Sequence, residues 1–121
     1  MVQHLKEGTG WRLGWQSETI SFQGLVGNNH WAFELTAAEF NDFRRLFQEL
    51  AASMQSLRQE LMAEERLVCE ARSELISMQI EGVPDAYGLR LMLLTGRRSE
   101  GVWDAPSTSE ILQALQTLEV F

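Results

Sequence analysis

The side chains that most often carry catalysis are few in this sequence and lie far apart along the chain. The histidines are His4 and His30, and the single cysteine is Cys69. None of them has a serine, cysteine or carboxylate partner at the spacing of a catalytic triad. Arg66 and Arg72 each lie three residues from Cys69, so a regular strand would turn them away from the thiol that they would have to activate. We therefore predict that the protein is not an enzyme.

The sequence does not indicate a site for a cofactor or a metal ion. One cysteine and two distant histidines cannot supply the clustered ligands of a zinc site. The acidic residues do not follow the spacing of a calcium-binding loop. The nine glycines occur singly rather than in a phosphate-binding motif. We predict that the protein uses no cofactor and no metal.

A small group of arginines beside an aromatic residue is the best candidate for a binding site. Nine of the ten basic residues are arginine, a side chain that favours bidentate and stacked contacts at interfaces. Arg90, Arg97 and Arg98 could form a basic patch at one end of a sheet, with Trp103 as an exposed aromatic that stacks on a ligand. Alternatively, these arginines pair with nearby acidic residues. The formal net charge of −7 argues against nucleic acid, since such binding depends largely on neutralising phosphates.

Alternating apolar residues predict two groups of strands that must position these side chains. Before the central helix we expect three antiparallel strands with aromatic inner faces, over residues 11–16, 19–26 and 30–35. In the second of them Ile20, Phe22 and Val26 share the inner face, and a Gly-Asn-Asn turn joins it to the third. After the helix the pattern returns in residues 66–71, 74–81 and 87–94, followed by the short apolar segment Val102-Trp103.

The strongest prediction is a long helix over residues 37–64. Thr36 and Glu39 have the spacing of a capping box, and neither Gly nor Pro interrupts the segment. Its apolar residues repeat every three or four positions, at Phe40, Phe43, Phe47, Leu50, Met54, Leu57 and Leu61. Ser107 and Glu110 repeat the capping-box spacing and predict a final helix, with Ile111, Leu115 and Leu118 on its buried side.

The length of the long helix suggests an oligomer interface. Twenty-eight helical residues would span about 42 Å, whereas a compact domain of this size measures roughly 35 Å across. The helix therefore ends or kinks near Ala51-Ala52-Ser53, or its far end packs on something else. Either strands of the second half cover Met54, Leu57 and Leu61, or a second copy does. The second alternative predicts a homo-oligomer, such as a homodimer, with these three residues at its interface.

The order strands, helix, strands, helix predicts an α+β fold. Separate blocks of strands and helices are typical of antiparallel sheet units, here with one long central helix and a C-terminal helix. A length of 121 residues fits one domain over residues 1–121. The composition, 45% hydrophobic and 22% charged residues, is ordinary for a globular protein.

The sequence predicts a cytoplasmic protein. A single cysteine cannot form an intramolecular disulfide, which favours a reducing compartment. The N-terminal residues lack the apolar segment of a signal peptide. No apolar run approaches the roughly 20 residues needed to cross a bilayer, so we expect no membrane contact.

Three segments give the sequence a resemblance to a known family. They are Gly10-Trp11-Arg12-Leu13-Gly14-Trp15, Trp31-Ala32-Phe33-Glu34-Leu35-Thr36 and Gly101-Val102-Trp103. In them the chain resembles a small cyanobacterial family known as domain of unknown function 1818, which is similar in fold to Whirly-type regulators that bind single-stranded DNA. The resemblance implies two sheet-plus-helix units packed together. It assigns no site residues, and the Lys-Gly-Lys-Ala-Ala-Leu motif of plant Whirly proteins has no match here.

Two functions are consistent with these observations. The first is a non-enzymatic interaction module that forms a homo-oligomer or binds another protein. The alternative is a single-stranded nucleic-acid-binding regulator of the Whirly-like type, which would use the arginine group and Trp103. Fold similarity alone does not decide between them.

Overall fold

Two four-stranded antiparallel sheets and two helices make up the fold. The structure is a computed structural model that describes residues 3–58, 60 and 65–118. The first sheet contains β1 (Gln3–Gly8), β2 (Trp11–Gln16), β3 (Gly24–Gly27) and β4 (Ala32–Leu35), and it precedes helix α1 (Ala37–Leu57). The second contains β5 (Leu67–Arg72), β6 (Ile76–Val83), β7 (Ala86–Leu93) and β8 (Glu100–Trp103), and it precedes helix α2 (Ala105–Thr117). The predicted α+β class and element order are confirmed.

The first sheet has a fourth strand that the alternation of apolar residues does not reveal. β1 pairs with β2 from Gln3 opposite Gln16 to Gly8 opposite Trp11. Its sequence is mostly polar, so backbone pairing rather than a hydrophobic face defines it. The positive φ of 87° at Gly10 allows the tight turn between these two strands.

The predicted strand over residues 19–26 is wrong in its first half. β3 begins only at Gly24, and Ile20, expected on the inner face, is 94% exposed. The backbone amide of Gln16 donates to the Gln23 carbonyl, and the Gln23 side-chain amide donates to the carbonyl of Thr19. These bonds close residues 17–23 into a loop, which removes them from the sheet.

Helix α1 is continuous for 21 residues and passes through the predicted break at residues 51–53. Its predicted capping box is confirmed, because the Glu39 amide donates to Thr36 Oγ1 and the Thr36 amide donates to Glu39 Oε1. A helix of this length spans about 32 Å, which fits within a domain of this size. The helix ends at Leu57, with Arg58 as its C-cap, earlier than the predicted end at residue 64. The predicted residues 59 and 61–64 lie outside the described part of the chain.

Helix α2 begins three residues earlier than the predicted capping box. Asp104 is the N-cap, and its carboxylate accepts a hydrogen bond of 2.9 Å from the Ser107 amide. Pro106 follows within the first turn, where the missing amide proton costs nothing. Ser107 is instead buried, and its hydroxyl donates to the Thr9 carbonyl. The predicted buried residues of α2, Ile111, Leu115 and Leu118, are confirmed.

Both helices pack against the inner faces of the sheets. Helix α1 lies mainly on β5 and β6, and also contacts β3 and β4. Helix α2 lies on β7 and reaches β1 and β2. The phenylalanines of α1 form a continuous row of ring contacts with the tryptophans of the sheets. Neither helix of the described chain is long and apolar enough to cross a membrane.

We expect Asp104, and not the predicted cap, to stabilise helix α2. Asp104→Ala should lower the free energy of unfolding by about 1 kcal/mol, since an N-cap side chain contributes this much. Glu110→Ala is the matched control and should change it by less than about 0.5 kcal/mol. Urea unfolding at neutral pH measures both, and equal effects would contradict the assignment of the cap.

The effect of Asp104→Ala should also depend on pH. Hydrogen bonding to Ser107 lowers the pKa of Asp104 below its ordinary 3.8. A lowered pKa in the folded state stabilises the protein at neutral pH, and this contribution is lost as the pH falls through the lowered pKa. The difference between the wild type and the variant should therefore shrink below about pH 4.

Candidate functional site

Trp103, predicted to be an exposed aromatic, is buried in the core and is not available to bind a ligand. It ends strand β8 opposite Leu89, on the inner face of the second sheet, and is 2% exposed. Its ring centroid lies 5.0 Å from that of Trp31 and 6.4 Å from that of Phe43. Its indole Nε1 donates a hydrogen bond of 2.9 Å to the Gly27 carbonyl. The prediction failed because the segment before Trp103 is a strand rather than a loop.

Arg90 lies on the outer face of the second sheet, where it pairs with an acidic residue. It occupies the middle of β7, opposite Val102 of β8, and its guanidinium forms an ion pair with Glu100. The two side chains border a shallow groove of about 460 Å³, whose floor is formed in part by Gly88. The alternative that the arginines pair with nearby acidic residues applies here.

Arg97 joins the β7–β8 loop to the first sheet and to helix α1. Its Nη2 donates to Glu39 Oε1 at 2.9 Å and to the Glu34 carbonyl at 2.8 Å. Its guanidinium also lies 4.7 Å from the centroid of the Phe22 ring. Since Glu39 is buried, Arg97 neutralises a carboxylate that would otherwise be costly to remove from water. Arg97 therefore has a clear structural role.

Arg98, next to Arg97, is exposed, and its backbone has a positive φ of 52° in the β7–β8 turn. The three predicted arginines thus have three different environments. Arg90 is paired on the second sheet, Arg97 is bound to α1 and β4, and Arg98 points away from the core. The structure does not assemble them with Trp103 into one basic site.

The predicted oligomer interface at the end of α1 is largely covered by the chain itself. Met54 is completely buried, so it cannot contact a second copy while the fold is intact. Leu57 is half-buried, and Leu61 lies outside the described residues. An ion pair of 2.9 Å between Arg58 and Asp85 attaches the end of the helix to the β6–β7 turn. The strands of the second half provide the cover for Met54.

The residues considered for catalysis lie in separate elements. His4 is in β1, His30 is exposed in the β3–β4 turn, and Cys69 is half-buried in β5 opposite Ile80. In the part of the chain that the structure describes, no group of three or more histidine, cysteine or acidic side chains is arranged to hold a metal ion.

An open, partly apolar surface lies on the outer face of the first sheet. Trp11, Leu13 and Trp15 of β2 point inward, so the alternate residue Gly14 lies on the outer face. Leu5 of β1 and Leu25 of β3 flank Gly14 in one row across the three strands. We call the surface formed by Leu5, Gly14, Phe22 and Leu25 the apolar outer face.

The apolar outer face is open because neither helix packs against it. Leu5 is 51% exposed, and Phe22 and Leu25 are half-buried. Together with polar neighbours they line a hollow of about 160 Å³. A Cβ atom on Gly14 would lie 3.4 Å from side-chain atoms of both Leu5 and Leu25, so glycine lets these side chains approach each other.

Sequence reasoning missed the apolar outer face for a specific reason. It placed Ile20, Phe22 and Val26 on one inner face, as if residues 19–26 formed a regular strand. Because β3 begins only at Gly24, Phe22 lies in the loop before it and borders the outer face, and only Val26 is buried on the inner face as predicted. The polar sequence of β1 hid Leu5 in the same way.

The contact between Arg97 and Glu39 leads to a direct test of stability. Arg97→Met should lower the free energy of unfolding by about 1–3 kcal/mol, because it leaves the buried Glu39 carboxylate without its cation. Arg98→Met, the neighbouring control, should change it by less than about 0.5 kcal/mol. Equal losses in chemical unfolding would show that this contact is not important.

Comparisons with known proteins identify relatives but not an activity. No curated protein matches the chain. The chain is similar to the crystal structure of a protein with unknown function from the DUF155 family of Prochlorococcus sp. NATL2A. The two share 27% sequence identity and a TM-score of 0.88, over 97% of this chain and 98% of that one. The family model described as domain of unknown function DUF1818 matches residues 6–118, and the chain therefore belongs to the DUF1818 family.

Proposed function

We propose that the protein is a non-enzymatic interaction module that binds protein through the apolar outer face of its first sheet. The observation that carries this proposal is the exposure of Leu5, with Leu25 and Phe22 beside it, on a face that neither helix covers. Continuous apolar surfaces on soluble domains often mark interaction sites. Covering the exposed half of Leu5 contributes about 1 kcal/mol, so a partner gains from contact here.

Several polar residues hold the fold together through their contacts, and such a stable framework suits a protein that binds a partner. Glu39 binds Thr36 and Arg97, and Asp104 caps helix α2. The histidines and Cys69 are distributed over separate elements. A binding surface needs only a stable framework, and these contacts provide one. We further propose that the module acts in the cytoplasm of a cyanobacterium.

The test uses two pairs of lysine substitutions with equal charge. Leu25→Lys alters the apolar outer face itself, and Ile20→Lys, at a residue that is 94% exposed, alters the adjoining loop that carries Phe22. Val68→Lys with Val102→Lys alters the outer face of the second sheet, where these residues are 52% and 57% exposed. In affinity capture from a cyanobacterial lysate, the first pair should lose proteins that the wild type retains, and the second should keep them. Capture that survives the first pair, with circular dichroism showing it folded, would argue against the proposed surface.

The second candidate function is single-stranded nucleic-acid binding of the Whirly-like type. One observation favours it: Arg97 lies over Phe22 beside a hollow of about 450 Å³ that Phe33 and Ser99 also line. Aromatic rings and arginines of this kind can stack on bases. Against it stand the pairing of Arg97 with Glu39, the presence of Glu34 in the same hollow, and the net charge of −7.

Binding to a labelled oligonucleotide distinguishes the two candidates. We expect no change in fluorescence anisotropy with single-stranded DNA at about 20 mM salt, because the acidic surface repels phosphates. Binding that weakens steeply with salt, and that Arg98→Glu removes while Arg66→Glu does not, would instead support the nucleic-acid candidate. Arg98 lies between Arg97 and Ser99, which line the hollow, whereas Arg66 is equally an exposed arginine but precedes β5 of the second sheet.

A further inference from the structure

The outer strands of the two sheets differ in how far their edges are covered. β1 and β4 are the edges of the first sheet, and β5 and β8 are the edges of the second. An edge strand presents backbone groups that can pair with another chain. We propose that a second copy of this chain pairs antiparallel with β1, so that the two first sheets join into one of eight strands. This inference rests on the proposed function and names the partner at one border of the apolar outer face.

The edges at β4 and β8 are short and offer little to another strand. Each of these strands has only four residues. The Glu34 carbonyl of β4 already accepts a hydrogen bond from Arg97, and β8 passes directly into Asp104, the N-cap of α2. Very short edge strands are one way in which proteins avoid pairing with another chain.

The edge at β5 does not match a second copy of itself. In a two-fold symmetric antiparallel pair, one residue must lie directly opposite its own copy. Centring the pair on Glu70 would oppose two carboxylates, which is unfavourable. Centring it on Cys69 would bring Arg72 opposite Arg66 of the second copy. Centring it on Val68 or on Ala71 opposes no like charges, but either register leaves only a short overlap within Leu67–Arg72.

The edge at β1 does match a second copy of itself when the pair is centred on Leu5. In this register Gln3 lies opposite Glu7, and His4 lies opposite Lys6, so no two like residues except the leucines are opposed. Lys6 directs its ammonium group toward the Ala114 carbonyl of α2. Centring the pair on Lys6 instead would oppose two lysines. Leu5 is therefore the centre that gives the longest overlap without repulsion.

Pairing centred on Leu5 also extends the apolar outer face across the two copies. Leu25, Gly14 and Leu5 already form one row in each copy. The two rows meet at the symmetry axis, where each half-exposed Leu5 covers the other. The same contact thus satisfies edge backbone groups and buries apolar surface.

The expected dimer is weak, because one strand edge buries little surface. Interfaces below about 1,200 Å² usually belong to transient complexes, so we expect dissociation at about 10–100 µM. Sedimentation velocity from about 5 to 500 µM should show the wild type moving from monomer to dimer. A strict monomer at the highest concentration would overturn the proposal.

Opposite charges at Leu5 give the decisive test. Leu5→Glu and Leu5→Arg should each weaken the dimer about tenfold or more, since like charges would then face each other. An equal mixture of the two variants should restore dimerisation, because the introduced carboxylate would face the introduced guanidinium only across the proposed axis. Val68→Arg is the control on the β5 edge, since Val68 is 52% exposed against 51% for Leu5; it should leave the dimer unchanged.

Failure of the mixture to restore the dimer, or loss of the dimer in Val68→Arg, would overturn the pairing at β1. Hydrogen exchange of the wild type gives a check that needs no variant. The amides of Leu5 and Glu7, which point to the free edge of β1, should exchange more slowly at high concentration, and those of β5 should not. Equal rates at both concentrations would also overturn it. The lysate experiment with Ile20→Lys and Leu25→Lys remains independent, because the apolar outer face could still bind a different protein.

Discussion

The structure depends on the buried indole of Trp103, which connects the two sheets. The sheets share no strand, so side chains must hold them in place. Trp103 comes from the last strand of the second sheet, donates its indole proton to Gly27 in the first sheet, and packs against Phe43 of α1. A buried carbonyl without a donor is costly, so this hydrogen bond restricts how the sheets are oriented. The ring contacts with Trp31 complete the connection.

A second, polar connection lies beside this aromatic one. Glu39 is buried at the start of α1, where it closes the capping box and also accepts the bond from Arg97. One carboxylate thus fixes the beginning of the helix and the loop of the opposite sheet. These two connections hold the sheets together from the inner side. The apolar outer face is therefore a candidate for recognition.

Local patterns predicted α1 and most strands. Contacts between residues that lie far apart in the sequence could not be predicted from such patterns. The capping box and the repeat from Phe40 to Met54 are local, and both are present in the structure. The partner of Arg97 lies 58 residues away, and no spacing rule identifies it. Trp103 was misplaced because the face on which it lies depends on pairing with β7. The apolar outer face was missed because Leu5 lies in a polar strand that only its pairing with β2 defines.

The contact between β1 and α2 has a consequence for how the chain folds. Lys6 donates to the Ala114 carbonyl across 108 residues of sequence, and the Ser107 hydroxyl reaches back to Thr9. Contacts of such large sequence separation slow folding, because a long loop must close before they form. During synthesis on the ribosome, the first strand emerges long before its helical support exists. Until α2 has formed, β1 is held by its hairpin with β2.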